Sequence, residues 1–533
     1  MKYMLAALAV FSLTASACAD DALRTPAPPS GADDLTVQVV PAWAEMTANA
    51  DALRRAMFPA FGNPNPRWRC PGAVELPASF ADKKVQTAVW DANCAIDLSG
   101  HEGLEFDFYC EDISQFSQIR FFLNMGGDSW YSVWPFAPER EGSWCRVRFA
   151  KKDFGEEGEG GKAGFDKIKG FRIAAWRNGE KNTVLGFANL SYTDAVMKNL
   201  TPEEIAARDA RSRAWVKTLA PKKNEWRAFW CHTPNGIGGE PTWGWDRSIK
   251  ALKDCGFTAI CPNLAYSGCA WYKSDVVAES PSVKTKGDQL EACLAACRKY
   301  GIELHAWKMC WLIGGKNADG TLAEEARKRG VLQVTDAGKT LPDSLCPSDP
   351  GMRRREIAAY VELAKKGVDG IHLDHIRLEC DTCYCDGCRR RFERLVGRSI
   401  PDLVPAIRSD KELGARWSDF RAACVSALVR GVSEAVRKES PRVKISAAVF
   451  CNPKSDRISL AQDWPLWCRK GWVDFVCPMD YTVSPLLLGS MVNAQKEAAG
   501  PRVKVYPGLG ISLWPKGTDN VRVLGEQEIG AHV

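Results

Sequence analysis

The sequence predicts a multidomain chain, an all-β sandwich or jelly roll followed by an α/β TIM barrel that lacks its eighth strand. Three observations predict it. Short alternating strands with turn residues between them fill residues 36–195. Beyond residue 223, strand-like and helix-like stretches alternate, as parallel strands with covering helices do. Seven such units fit before Val533, one short of the eight that close a barrel, so either the eighth strand is lacking or the sequence is truncated.

The N-terminus reads as an export signal over residues 1–19. Lys2 precedes the apolar run Met4–Leu13, which is too short to span a membrane, and small residues follow. Cleavage fits after Ala17 or Ala19, and Cys18 behind Ala15-Ser16-Ala17 also fits a lipobox, so a lipid anchor at Cys18 and plain secretion both stay open. Localisation is therefore expected to be periplasmic, outer-membrane or extracellular. Residues 20–35 are polar and Pro-rich, a linker.

In the β region Leu104–Cys110 alternates strictly, and Ile119–Leu123, Trp130–Trp134, Trp144–Phe149 and Phe171–Trp176 follow. Its tryptophans, Trp90, Trp130, Trp134, Trp144 and Trp176, fit a core or a platform on which sugar rings stack. Cys70, Cys94, Cys110 and Cys145 allow two disulfides in three pairings. Residues 196–222 read as a connecting helix with a capped start at Thr201-Pro-Glu-Glu.

In the second half the expected strands are 226–232, 257–264, 302–309, 368–375, 443–450, 473–481 and 503–510. The expected helices are 244–255, 287–300, 352–366, 412–438, 460–470, 486–499 and 518–530. The net charge of +6 is scattered, with no long basic run, so nucleic acid is not an expected partner. Cys261, Cys293, Cys297, Cys310 and Cys477 fall inside strands and helices, where cysteine serves as a small buried hydrophobe.

The fourth strand carries the strongest functional signal. In Gly367–Arg377, period two places Gly370, His372 and Asp374 on one face. A histidine and a carboxylate near the C-terminal end of a parallel strand stand where barrels keep their reactive groups. Other strand ends add His305 and Trp307, Asn263 with the loop residue Tyr272, and Asp480 with Tyr481.

Four stretches carry a family likeness in order and spacing: Leu304-His-Ala-Trp307, Asp349-Pro-Gly351, Asp369–Arg377 and Trp467–Tyr481. Over residues 224–533 the chain resembles the family 10-type glycosyl-hydrolase-like barrels of bacteria, relatives of the α-amylase-like enzymes. The resemblance implies a TIM barrel acting on glycosidic bonds of a polysaccharide or oligosaccharide, peptidoglycan glycan included. Two departures stand out. His375 stands where the family often has a second acid, and Asp480-Tyr481 replaces a Gln-x-Tyr pattern.

Glycoside hydrolysis generally uses two carboxylates. Asp374 is expected as nucleophile or stabiliser and Asp480 as acid/base, with Glu379 and Asp463 behind it. Asn263, Tyr272, His305, Trp307, His372, Arg377 and Tyr481 are the expected substrate contacts. The alternative for Asp374 is a structural pair with Arg377. For the whole chain, the alternatives are a non-catalytic glycan-binding protein and a surface scaffold. No catalytic cofactor is expected.

After the fourth strand comes Cys380-x2-Cys383-x-Cys385-x2-Cys388. Four thiols so spaced fit a structural zinc site or two tight disulfides.

Overall fold

The computed structural model describes residues 23–29, 38–60, 63–127, 129–133, 135–138, 140–157, 164–194, 225–237, 242–266, 268–314, 320–379, 382–482, 485–510, 512–513 and 522–523. The export signal with Cys18, the connecting helix, Trp134 and Cys380 lie outside these residues. The chain is a mixed α/β protein of two compact units that divide near residue 198. Among the described residues, no helix is long and apolar enough to cross a membrane.

The first unit holds two six-stranded sheets, and their strands pair antiparallel. Aromatic side chains from both sheets meet between them: Phe106 lies 5.3 Å from Phe121, and Phe171 lies 5.3 Å from Phe187. In the strand Gly103–Cys110 every residue is buried, the polar ones included. Glu105 and Asp107 tolerate this because the neighbouring strand sets Arg148 and Arg146 opposite them, with contacts of 2.6 and 2.7 Å.

Residues 23–29, expected as linker, instead hold to this unit. The backbone amides of Arg24 and Thr25 both donate to Glu75. Of the tryptophans, Trp90 is core. Trp130 and Trp176 are partly buried beside Val89, Phe122 and Ala174. Cys70, Cys94, Cys110 and Cys145 are all free thiols, so neither expected disulfide is formed.

The second unit is built on seven parallel strands, here β1 Ala228–Cys231, β2 Ala259–Tyr266, β3 Glu303–Met309, β4 Gly370–Asp374, β5 Lys444–Val449, β6 Phe475–Pro478 and β7 Lys504–Val505. Each pairs with its predecessor in the sequence. The connections include helices α1 Trp245–Asp254, α2 Gln289–Tyr300, α3 Pro350–Lys365, α4 Asp386–Val396, α5 Lys411–Glu439, α6 Trp464–Arg469 and α7 Pro485–Ala499. Helix starts are set by local chemistry. Asp349 caps α3, accepting from the amides of Gly351 and Met352, with Pro350 at the first helical position.

The sheet curls. Trp226, just before β1, packs 4.7 Å from Tyr506, just after β7, and 4.8 Å from Phe475 on β6. A Cβ on Gly508 would come within 2.3 Å of the Trp230 ring, so the path past β7 requires glycine there. Among the described residues no eighth parallel strand follows β7. The helix expected at 518–530 is corrected in part. Arg522–Val523 pairs antiparallel with Ser512–Leu513.

Candidate active site

Inward-facing side chains of the parallel sheet stack at different heights, and height decides what each can do. Near the N-terminal ends of the strands, His305 is fully buried and its Nε2 lies 3.2 Å from Glu303. That contact, followed by those from Lys444 and Trp226, pulls the Glu303 carboxyl down to about 2. Gly370 faces this histidine; a Cβ there would sit 2.1 Å from His305 Nδ1. His305 therefore packs deep inside the sheet, which corrects its expected substrate contact.

One step higher, His372 is also fully buried. Its Nε2 accepts from the Trp230 indole N–H at 3.0 Å, so Nδ1 carries the proton toward Ser446 Oγ at 2.9 Å. Burial drives its pKa down to about 3 and His305 adds to the shift, so the ring stays neutral. Both nitrogens are used, leaving none for Asp374 or for a sugar hydroxyl.

The next residue on this face is Asp374, at the C-terminal rim. Its Oδ2 accepts from Trp307 Nε1 at 3.0 Å, and its Oδ1 from the His375 amide at 2.6 Å. His375 has φ +50°, a left-handed turn that non-glycine residues adopt at some cost, and this bend aims its amide back at the carboxylate. Arg377 turns away from Asp374 and pairs with Glu379 at 2.9 Å. The alternative of a structural Asp374–Arg377 pair is thus absent. Trp307, 4 % exposed, orients Asp374 and in turn carries the His232 ring edge-on at 4.7 Å.

His232, at the end of β1, was not among the expected site residues; its only sequence signal is a lone histidine after Phe229-Trp-Cys231. Burial lowers its pKa, and the Asp374 charge opposes that shift.

Asp480 follows β6 and is 1 % exposed. Gln495 of α7 donates to its Oδ1 at 2.6 Å, while Oδ2 has no partner among the described residues. Burial pushes the carboxyl up to about 7, against the lowering effect of the Gln495 bond. Beside it Tyr481 is 37 % exposed. Its phenol is pushed upward by burial and then by the charges of Asp374 and Asp480.

The remaining expectations divide. Asn263 is buried on β2, opposite Trp307 in register, with its Oδ1 unpartnered. Tyr272 is fully buried beneath the Lys366 ammonium, and burial and Glu362 raise its hydroxyl pKa, so it packs rather than stacking on sugar. The reason is local: after β2 the chain folds back as Cys269–Ala270, antiparallel to β2. Asp463 caps α6 and holds Arg457, and Glu379 is engaged by Arg377. Asp456 also rises to about 7 through burial, but it accepts from the Asn452 amide at the start of its own short helix. In the cysteine cluster Cys346, Cys383, Cys385 and Cys388 come together. Cys346 thus joins a group that the sequence spacing had assigned to Cys380.

A family model described as glycosyl hydrolase-like 10 matches residues 226–510, more than half of the chain. The chain belongs to the glycosyl hydrolase-like 10 family. Every rim residue above falls inside the matched span. No curated protein matches the chain in sequence. Solved structures similar in chain path include an agarase, AgWH50C, at 10 % identity and TM-score 0.41, covering 89 % of this chain and 88 % of that one. Another is the catalytic domain of β-amylase from Paenibacillus polymyxa, at 11 % identity and TM-score 0.38, covering 54 % and 87 %. A third is α-L-fucosidase isoenzyme 2 from Paenibacillus thiaminolyticus, at 16 % identity and TM-score 0.34, covering 58 % and 48 %. At these scores the likenesses carry nothing about activity.

Proposed function

We propose that this member of the glycosyl hydrolase-like 10 family is a glycoside hydrolase that cleaves a polysaccharide or oligosaccharide with Asp374 and Asp480. On this reading the parallel sheet is a TIM barrel and the N-terminal sheets a jelly-roll module. The chain is exported, either anchored by lipid at Cys18 or plainly secreted. Peptidoglycan glycan is one substrate of this class.

The observation that carries the reading is the contrast between the two carboxylates. Oxocarbenium-like chemistry needs one group negative and one carrying a proton. Asp374 accepts two N–H bonds at the rim, which suits a carboxylate that stabilises positive charge or attacks the anomeric carbon. Asp480 holds a proton up to about pH 7 because it is buried with a single partner, which suits a general acid. Tyr481, next to Asp480 in the chain and 37 % exposed, would contact the sugar, and Trp307 and His232 would line the side at Asp374. No cofactor takes part.

A second reading, a non-catalytic glycan-binding protein, is favoured by one observation: Asp480 is 1 % exposed, so it needs local opening to meet a leaving-group oxygen. Reducing-end release across a glycan panel separates the two. Release that Asp374→Asn abolishes, with glycan binding retained, supports the hydrolase. Binding without release, unchanged in Asp374→Asn, supports the binder.

A further inference from the structure

We infer that Cys346, Cys383, Cys385 and Cys388 form a structural zinc site, independent of the glycosidase reading. The four Sγ atoms lie within 4.8 Å of one another, and all four residues are buried. Cys346 Sγ is 3.4 Å from Cys388 Sγ and 3.6 Å from Cys385 Sγ. Near-equal spacing to two partners is the pattern of a tetrahedron, whose edges are ~3.8 Å when each Zn–S bond is ~2.3 Å. A disulfide would instead draw one pair to ~2.05 Å and leave the others behind.

The surroundings suit thiolates. The Cys388 amide donates to Cys385 Sγ at 3.4 Å, at the start of α4, where the helix dipole favours negative charge. Ser348 Oγ lies 3.1 Å from both Cys346 Sγ and Cys388 Sγ, and Arg391 donates to that hydroxyl at 3.1 Å. Arg391 also reaches Asp349, the cap of α3. A cation is thus fixed close to four ligands that would carry excess negative charge around one divalent ion.

With four protein ligands the site is closed, so its role is structural. It would tie the start of α4 to the segment that precedes α3. The chain between Asp374 and Cys383 carries His375, Arg377 and Glu379, so the metal would hold the far end of the loop that begins at the candidate nucleophile. It would also keep the thiols from oxidising if the protein works outside the cytoplasm.

The test uses the purified full-length protein. Metal analysis should find about one zinc per chain, released by thiol-blocking mercurials. Cys346→Ser and Cys385→Ser should each lose most of it, whereas Cys380→Ser should keep it. Because the first two variants could misfold, the wild-type protein is also loaded with Co²⁺. Intense thiolate-to-cobalt charge-transfer bands with tetrahedral d–d absorption are expected, as are four sulfur neighbours by X-ray absorption on the zinc form. The inference is overturned by any of three results. One is less than about a tenth of an equivalent after incubation with zinc under reducing conditions. Another is a mass deficit marking disulfides among the four. The third is full zinc in Cys346→Ser with loss in Cys380→Ser.

Discussion

Asp374 and Asp480 stand at the ends of parallel strands β4 and β6, yet their surroundings are opposites. Asp374 has both oxygens engaged by N–H donors, and Asp480 has one donor and one bare oxygen. On the proposed reading, two aspartates of the same intrinsic acidity take different tasks. Unmet hydrogen-bonding capacity and burial favour the neutral form, and donors favour the ion. The location of a carboxylate on a strand end says that it can take part; the donors around it say how it is held.

The most severe way to break the comparison is Asp374→Asn. Turnover should vanish in reducing-end assays while the circular dichroism spectrum and melting temperature stay near wild type. Substantial residual turnover would remove Asp374 from the chemistry. Next comes Asp480→Asn, expected to slow cleavage of natural glycosides by about 10²–10⁴-fold, the usual contribution of a general acid. Aryl glycosides with acidic phenol leaving groups should lose far less, because their departure needs no proton.

His372 offers a third test, of scaffold rather than chemistry. His372→Ala would leave the Trp230 N–H without its acceptor, remove the donor to Ser446 Oγ and open a cavity. The expected loss is roughly 2–4 kcal/mol of stability, read by denaturant unfolding. If catalysis per folded molecule falls as far as in Asp374→Asn, the neutral structural role is wrong. The smallest effect is expected from Tyr481→Phe, which keeps the ring and should change KM by less than about tenfold with kcat nearly intact.

Stability against pH gives an independent view of Asp480. Its folded pKa of about 7 lies above the ordinary aspartate value of 3.8. The native state therefore holds a proton that the unfolded chain releases first. The associated stability is fully present below about pH 4 and is lost as pH rises toward about 7. Asp456 carries a shift of the same sign and size, so the Asp480→Asn variant should remove part of this slope and Asp456→Asn the rest.

Much of this was legible in the sequence because strand period and strand order are local. Six of the seven parallel strands fall within the stretches expected from alternation and spacing, β2 runs two residues past its own to Tyr266, and Asp374 stands two residues on from His372 on the same face. Height within the curled sheet was not legible. His305, His372 and Asp374 all point inward, but only Asp374 reaches the rim: it ends β4, His372 lies two residues earlier, and register pairs His305 with Gly370 at the start of β4. The burial of Tyr272 was not legible because the fold-back of Cys269–Ala270 depends on pairing with β2. Cys346 was missed because its partners lie a helix and a strand further along, joined only in three dimensions. Asp480 could be located from its strand, but its raised pKa depends on Gln495, supplied by a later helix.

The most direct test of the central claim is the pH dependence of kcat/KM on a natural glycan for the wild type, Asp480→Asn and Asp456→Asn. The account predicts a decline above about pH 7 in the wild type, kept in Asp456→Asn and absent from the residual activity of Asp480→Asn. The same decline in Asp480→Asn as in the wild type would contradict it.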